Sequence, residues 1–428
     1  MKSQDNLPSS NSTSTLRKSI INNIHQPKEL ESLYRNSKDA FTQSFNEVYP
    51  QISHEPLAQA WQERLHYKQE GSSWFSRSEL LFLLIAAFVT ALAAKIPQFT
   101  SIRDEFFYPR NLGLLGFGGI LTYFNWKQAS GTKQRLLTLL AFALPAVYMN
   151  SLPNKNTDTI LLACIHLPMV LWSVLGWNFS GGSWKNKSAR AEFLQYNGDL
   201  IVICALLGLS GILFSGITVA LFGLLGMKIE EFYFENIGVL GASGIPILGT
   251  ILVRNNTSLV NRISPLIARI FTPLVFIALL AFLVALFLNG SKIYQDRNFL
   301  LNFNVLLIAV MAIILFSASE ASKNNASQSV IYLLFALSVL TVILNTIALS
   351  AIIFRISEFG FTPNRIAVIG GNLLIFSNLS LVCKNLYLTI KGKKDLPAVI
   401  DGIASFLPVY GAWAAFIVLV FPLLWGFK

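Results

Sequence analysis

The chain has 428 residues, of which 53% are hydrophobic and only 13% are charged, whereas a soluble globular protein carries about 25% charged residues. Its 33 basic and 22 acidic side chains give a net charge of +11. Residues 1–79 contain nine of each, so the whole surplus lies in residues 80–428, where long apolar runs dominate. This distribution argues against a nucleic-acid-binding surface and is typical of a membrane protein.

The N-terminal part of the chain is predicted to be a small helical segment on the cytoplasmic side. Residues 1–15 have too few apolar side chains to form a core and are expected to be disordered. Residues 16–78 are expected to form amphipathic helices, one over Lys28–Tyr49 and a second beginning at Pro56. Their apolar faces either pack on each other and on the membrane domain or bind a cytoplasmic protein partner.

Residues 79–428 are predicted to form a polytopic, all-α membrane bundle. Eleven apolar runs are long enough to cross about 30 Å of hydrocarbon, although two short runs leave ten or twelve open. They begin near Leu80, Asn111, Leu136, Thr159, Leu200, Phe232, Ile267, Leu300, Val330, Ile366 and Phe406. Ser76 and Glu79 have the spacing of a capping box before the first run.

The basic residues predict how the chain crosses the membrane. If the N-terminus is cytoplasmic, seventeen basic residues lie on the inner side and ten on the outer side. The positive-inside rule therefore favours a cytoplasmic N-terminus and an external C-terminus.

An internal repeat is the most informative pattern in the sequence. The segment Phe107–Gly116 (FYPRNLGLLG) recurs at Phe232–Gly241 (FYFENIGVLG) and more weakly at Phe361–Gly370 (FTPNRIAVIG), at spacings of 125 and 129 residues. Four predicted spans separate consecutive copies, which preserves their orientation. We expect parallel repeats of 4+4+3 helices, at about 79–198, 199–329 and 330–428. Chance similarity between Gly- and Leu-rich helices is the alternative.

Small residues and prolines of the repeat are predicted to pack helices together. Small residues let neighbouring membrane helices approach closely, and each copy is followed by a helix with an early proline. The packing residues predicted are Gly113, Gly116, Gly238, Gly241, Gly370, Pro145, Pro273 and Pro408.

The stretch Arg355-Ile-Ser-Glu-Phe-Gly-Phe-Thr-Pro-Asn-Arg365 resembles a bacterial multi-pass membrane family, domain of unknown function 4153. Members of that family show an aromatic-Gly-aliphatic-Thr-Pro-x-Arg stretch between late helices. Here Phe359 and Phe361 stand where Tyr and Leu are more usual. The resemblance extends from about Glu79 to the C-terminus. It implies a bacterial inner membrane protein and implies no activity.

No complete catalytic or metal-binding constellation is found in the sequence, so we predict a protein that is not an enzyme and needs no metal or cofactor. Gly241-Ala-Ser-Gly244 matches the nucleophile motif of rhomboid proteases, whose serine needs a histidine base from a later helix. All four histidines precede Ser243. Close helix packing is therefore the better interpretation of the motif.

Two places are candidate ligand or lipid sites. His166 lies near the middle of the fourth run, where an ionisable side chain suggests function, although a hydrogen bond to a neighbouring helix is the alternative. Asn345, Asn372 and Asn378 are candidates for hydrogen bonds between helices. The second place is the corner that carries Arg355, Glu358, Thr362, Asn364 and Arg365.

Each charged or capping residue of this corner has a predicted role. Arg355 and Glu358 are spaced for an ion pair, Thr362 is placed to cap the helix that starts at Pro363, and Arg365 could bind a lipid phosphate. A purely structural corner is the alternative.

These observations favour a transporter-like protein that binds a small molecule or lipid between its helical repeats, because many transporters are built from repeats. The alternative is a non-catalytic scaffold or sensor that acts through the N-terminal helices. The partners expected are the lipid bilayer, a small-molecule or lipid ligand, and a cytoplasmic protein at the N-terminal helices; nucleic acid is not expected.

Overall fold

The computed structural model describes residues 10–66, 75–128, 131–224, 227–255, 270–284, 288, 297–323 and 327–427. All regular secondary structure in these ranges is helical, in agreement with the predicted class. The chain divides into two compact units, Met1–Ser73 and Trp74–Lys428.

The described residues of the N-terminal unit form four helices. They are α1 (Ser10–Asn22), α2 (Pro27–Asn36), α3 (Lys38–Ile52) and α4 (Pro56–His66). Two helices replace the single one expected over Lys28–Tyr49, because Ser37 adopts an extended conformation (φ −158°, ψ 91°) that ends α2. Helix α1 also begins within the tail expected to be disordered, because Ile20 and Ile24 are buried in the core of the unit; residues 1–9 lie outside the described residues.

The helices of the N-terminal unit pack on one another around aromatic side chains. The ring centroids of Phe41 and Trp61 are 5.1 Å apart, and both side chains are buried. The Arg64 guanidinium lies over Trp61, 4.4 Å from the ring centroid, and donates to Glu31. Hydrogen bonds from Arg35 and then Arg64 lower the pKa of Glu31. The unit therefore has its own core and its own surface ion pairs.

The second unit contains fourteen described helices. They are α5 (Arg77–Ala94), α6 (Ile96–Phe99), α7 (Asp104–Lys127), α8 (Thr132–Ser151), α9 (Asp158–Phe179), α10 (Lys187–Leu224), α11 (Glu230–Asn255), α12 (Ile270–Val284), α13 (Arg297–Lys323), α14 (Gln328–Phe359), α15 (Pro363–Ile390), α16 (Leu396–Ala404), α17 (Leu407–Leu419) and α18 (Phe421–Leu424). Within α11, the segment Tyr233–Gly238 is a π-helical turn.

Seven segments of the described chain are long and apolar enough to cross a membrane, as an integral membrane protein requires. They are α5, α9, α10, α11, α14, α15 and the α16–α17 pair. The other predicted runs lie on α12 and on Leu306–Ala321 of α13, which are shorter apolar stretches, and on α7 and α8. Helices α7 and α8 have lower mean hydropathy because charged residues such as Arg110 and Arg135 lie within them.

Large apolar side chains face outward along these helices. On α5, Leu81, Leu84 and Phe88 are about 60% exposed, and on α10 Ile212 is 73% exposed. Water would make such continuous apolar surface unfavourable, whereas lipid chains match it. The exposed faces therefore support a membrane environment for this unit.

Three helix contacts organise the second unit. Helix α5 packs along α11, α9 lies between α7 and α17, and α14 pairs with α15. Separate apolar cores lie around α7, α10 and α11 and around α13, α14 and α15.

The prolines occupy different places in their helices. Pro408 lies in the first turn of α17, as predicted, and Pro273 lies near the start of the described part of α12. Pro145, however, is the fourteenth residue of α8, because that helix begins at Thr132 rather than at the apolar run. The description of Pro145 as an early proline was therefore wrong.

Candidate functional site

In the corner between α14 and α15, side chains form hydrogen bonds with backbone groups of the corner itself. Thr362 caps α15, since its side-chain oxygen accepts from the Arg365 amide, as predicted. The Arg365 guanidinium donates to the carbonyls of Phe359 (2.8 Å) and Gly360 (2.6 Å). Gly360 has φ +75°, a conformation that favours glycine at a helix C-terminus.

The remaining corner residues do not form the predicted cluster. Arg355 and Glu358 make no ion pair in the described part of the chain; Glu358 is exposed and Arg355 and Asn364 are half-buried. Because the Nη1 group of Arg365 already binds two carbonyls, the contacts favour the structural interpretation of this corner.

His166 is bonded within its own helix. Its Nδ1 atom lies 2.8 Å from the Leu162 carbonyl oxygen, one turn earlier on α9. The expected bond to a neighbouring helix is therefore replaced by a local one, because a helical histidine reaches the carbonyl four residues before it.

The glycines of the repeat differ in what they pack against. A Cβ atom at Gly113 would lie 3.2 Å from Pro168 on α9, and one at Gly370 would overlap Trp413 on α17. At Gly238 it would meet Phe234 of its own helix. At Gly116 and Gly241 it would meet no atom of the described chain within 4 Å. Gly113 and Gly370 thus have the predicted packing role, while Gly116 and Gly241 do not.

The first copy of the repeat docks α7 onto the end of α8 through its polar residues. The buried Arg110 guanidinium donates to the carbonyls of Met149 (3.1 Å) and Pro153 (3.0 Å). Beside it, the side-chain amides of Asn111 and Asn150 exchange two hydrogen bonds of 2.9 Å. Arg110 and Asn111, adjacent polar residues inside the repeated segment, were the sequence signal for this contact. The prediction considered the glycines of the segment and overlooked these two residues.

The second copy uses its asparagine in a related way. Asn236 occupies the position that Asn111 has in the first copy, and its Oδ1 atom accepts from Lys95 Nζ at 2.6 Å. This bond connects α11 to the residue that follows α5. The polar position of the repeat therefore makes a contact between helices in both copies.

Glu79 connects three helices at the opposite end of α5. It forms the predicted capping box with Ser76. Its carboxylate also binds Lys127 Nζ at 2.8 Å, accepts from the Tyr123 hydroxyl at 3.1 Å and accepts from Asn255 Nδ2 at 3.0 Å. The side chain is 4% exposed. One buried carboxylate therefore joins the start of α5 to the ends of α7 and α11.

An elongated cavity of about 560 Å³ lies between α5, α7 and α8 and is open along one side, where Ile85, Val89 and Leu139 are exposed. Its volume is within the range of about 300–1,000 Å³ typical of ligand sites. Along α5 it extends from Phe82 to Ala93, a rise of about 16 Å. Along α7 it extends from Phe107 to Asn125, about 27 Å. Most of its lining is apolar: Phe82, Ile85, Ala86, Val89, Ala93, Ile96, Phe107, Leu114, Leu115, Leu121, Leu139 and Phe142.

Four of the five polar residues of the cavity wall, all except Thr90, make hydrogen bonds within the described part of the chain. Thr122 donates to the Gly118 carbonyl and Thr138 to the Gln134 carbonyl. Asn111 is paired with Asn150, and Asn125 accepts from Asn178. The cavity therefore suits an apolar, chain-like molecule.

Comparisons with known proteins assign no family. No family model, curated protein or solved structure matches the chain. Functional inference therefore rests on the cavity and the polar contacts described above.

Proposed function

We propose that this protein is a transporter-like membrane protein that binds a lipid through an acyl or isoprenoid chain. The observation that carries the proposal is the apolar cavity between α5, α7 and α8. Its extent along α7 is close to the thickness of the hydrocarbon core, about 30 Å. A hydrocarbon chain lying along the helices would fill it, and four of its five polar lining residues already have hydrogen-bond partners within the protein. The proposed site lies within the first repeat rather than between repeats.

Filling the cavity tests this proposal. Gly118 lines it, and a Cβ there makes only an ordinary contact with Phe142 at 3.5 Å, so Gly118→Phe is expected to fold and to direct its ring into the cavity. Gly116→Phe is the matched control, because Gly116 lies two residues away on α7 and outside the lining. We expect Gly118→Phe to retain at most about one fifth of the co-purified lipid that the control retains. This ratio corresponds to a loss of about 1 kcal/mol in the free energy of lipid binding. Native mass spectrometry of the detergent-purified protein measures the retained lipid.

Equal lipid retention by the two variants would contradict the proposal. A chain lacking residues 1–73 provides a further comparison. It should keep the lipid, because the lining belongs to the second unit.

The compact core around Phe41 and Trp61 favours a second candidate function, a scaffold or sensor acting through the N-terminal unit. Retained lipid together with a lost cellular phenotype in the truncated chain would favour that candidate.

We further propose that the chain belongs to the family of unknown function 4153, that it lies in a bacterial inner membrane and that it crosses the membrane eleven times. Helices α7, α8, α12 and α13 would add four spans to the seven that meet the length and composition criteria. An odd number of spans puts the two termini on opposite sides of the membrane, and the positive-inside rule then places the N-terminus inside and the C-terminus outside.

Cysteine labelling tests this topology. Ser101 and Ser183 are exposed and lie between α6 and α7 and between α9 and α10. In a background without the three native cysteines, we expect a membrane-impermeant maleimide to label Ser101→Cys in intact cells and Ser183→Cys only after permeabilisation. The reverse pattern would overturn the proposed orientation, and labelling of both in intact cells would overturn the span count between them.

The 4+4+3 repeat remains part of the proposal. It rests on the sequence spacing, since Asn111 binds Asn150 on the next helix of its own repeat whereas Asn236 binds Lys95 of the first repeat. The π-helical turn in the second copy and the late position of Pro145 are differences between the copies.

A further inference from the structure

A line of buried polar side chains runs through the apolar core formed by α13, α14, α15 and α17. The predicted interhelical hydrogen bonds are present: Asn345 Nδ2 donates to the Asn372 carbonyl at 3.4 Å, and Asn378 Nδ2 donates to the Tyr410 hydroxyl at 3.0 Å. Tyr410 in turn donates to the sulfur of Met311 at 3.5 Å. Three helices, α13, α15 and α17, therefore meet around Asn378 and Tyr410, and the Asn345–Asn372 bond joins α14 to α15.

Two oxygens at this junction have no hydrogen-bond partner in the described part of the chain. They are Oδ1 of Asn378 and Oγ of Ser338, whose residues are 1% and 0% exposed; a third, Oδ1 of Asn345, lies further along the same line. An unpaired polar atom in a buried site costs about 1–3 kcal/mol, and in a membrane interior bulk water cannot reach it. A bound group that reaches these oxygens would remove this cost.

Ser338 and Asn378 lie at the same level of the α14–α15 interface. The helices are joined by a short turn and run antiparallel, with Asn345 opposite Asn372. Ser338 lies seven residues before Asn345, about 10.5 Å along α14, and Asn378 lies six residues after Asn372, about 9 Å along α15. Because the helices are antiparallel, both displacements run in the same direction. Asn378 is also bonded to Tyr410, which brings three oxygen-bearing side chains to one level.

The chemistry of these oxygens favours a cation. The Asn378 amide oxygen can only accept hydrogen bonds. The Tyr410 hydroxyl gives its proton to a thioether, a weak acceptor, and keeps a lone pair free of the Asn378 amide. All three ligands are neutral, whereas Ca²⁺ and Mg²⁺ sites are built around carboxylates. Neutral oxygens in channels and transporters bind monovalent cations.

We propose that Ser338, Asn378 and Tyr410 form a binding site for a monovalent metal cation, Na⁺ or K⁺, at the junction of α13, α14, α15 and α17. This site is separate from the apolar cavity between α5, α7 and α8. It stands on its own contacts and does not depend on lipid binding.

Thermal unfolding of the full chain in detergent tests the site. NaCl, KCl and choline chloride are compared at equal ionic strength, because a ligand that binds only the folded state raises the unfolding midpoint. We expect Na⁺ or K⁺ to raise the midpoint by about 3 °C or more over choline. Ser338→Ala and Tyr410→Phe should each lose at least half of that rise, since each removes one ligand with little change in volume.

Thr341→Val is the matched control. Thr341 is as buried as Ser338 and lies one turn away on α14, but its hydroxyl is bonded to the Leu337 carbonyl. It should keep the full cation-dependent rise. Equal midpoints in the three salts would overturn the proposal and leave buried water as the partner of these oxygens. An equal rise in Ser338→Ala, Tyr410→Phe and the wild type would overturn the assignment of the ligands.

Discussion

We expect Glu79→Leu to lower the free energy of unfolding of the second unit by about 3 kcal/mol. Breaking a buried ion pair by removing one partner costs about 3–5 kcal/mol. We expect the lower value of this cost, because the Lys127 side chain is 38% exposed and water can solvate its ammonium group. Leucine also leaves Tyr123 and Asn255 without the carboxylate that they donate to.

The unfolding midpoint of the purified protein measures this loss. A change of about 3 kcal/mol corresponds to a fall of roughly 6–12 °C. Glu105→Leu is the matched control, because Glu105 is an exposed carboxylate in the first turn of α7. It should change the midpoint by less than about 2 °C. If the unfolding midpoint of Glu79→Leu lies within about 2 °C of that of Glu105→Leu, the contact of Glu79 with three helices contributes little to the stability of the second unit.

The second large effect is expected from Arg110→Ala, also about 3 kcal/mol. Hydrogen bonds from a charged donor contribute about 1.5–3 kcal/mol each, and the guanidinium donates to the carbonyls of Phe106, Met149 and Pro153. Alanine removes these bonds and leaves a cavity beside α8. Arg110→Lys should have an intermediate effect, because an ammonium group cannot reproduce the planar fork that reaches several carbonyls.

Hydrogen–deuterium exchange localises this effect. We expect faster exchange at the amides of residues 149–152 in Arg110→Ala, where the end of α8 loses its contact with α7, and little change in α14 and α15. Arg103→Ala serves as the control, since Arg103 is exposed at the start of α7. Unchanged exchange at the end of α8 would mean that the Asn111–Asn150 pair alone holds the two helices together.

Local features were predictable because their partners lie within a few residues. The capping box of Ser76 and Glu79 and the Thr362 cap depend only on side chains three residues from the backbone groups that they bind. The amphipathic runs likewise predicted the N-terminal helices, although the break at Ser37 followed from its backbone conformation. His166 shows the limit of this reasoning, because an interhelical bond was expected where a carbonyl of its own helix was nearer.

The sequence by itself determined that this is a helical protein rich in apolar segments and where its local caps lie, because composition, periodicity and capping act over one or two turns. Only the tertiary structure decided which distant residues meet. Glu79 meets Lys127 and Asn255, which lie 48 and 176 residues away along the chain. Gly113 packs closely while Gly116 does not. Such contacts depend on the rotation and tilt of whole helices, and many side chains set these together rather than any single motif.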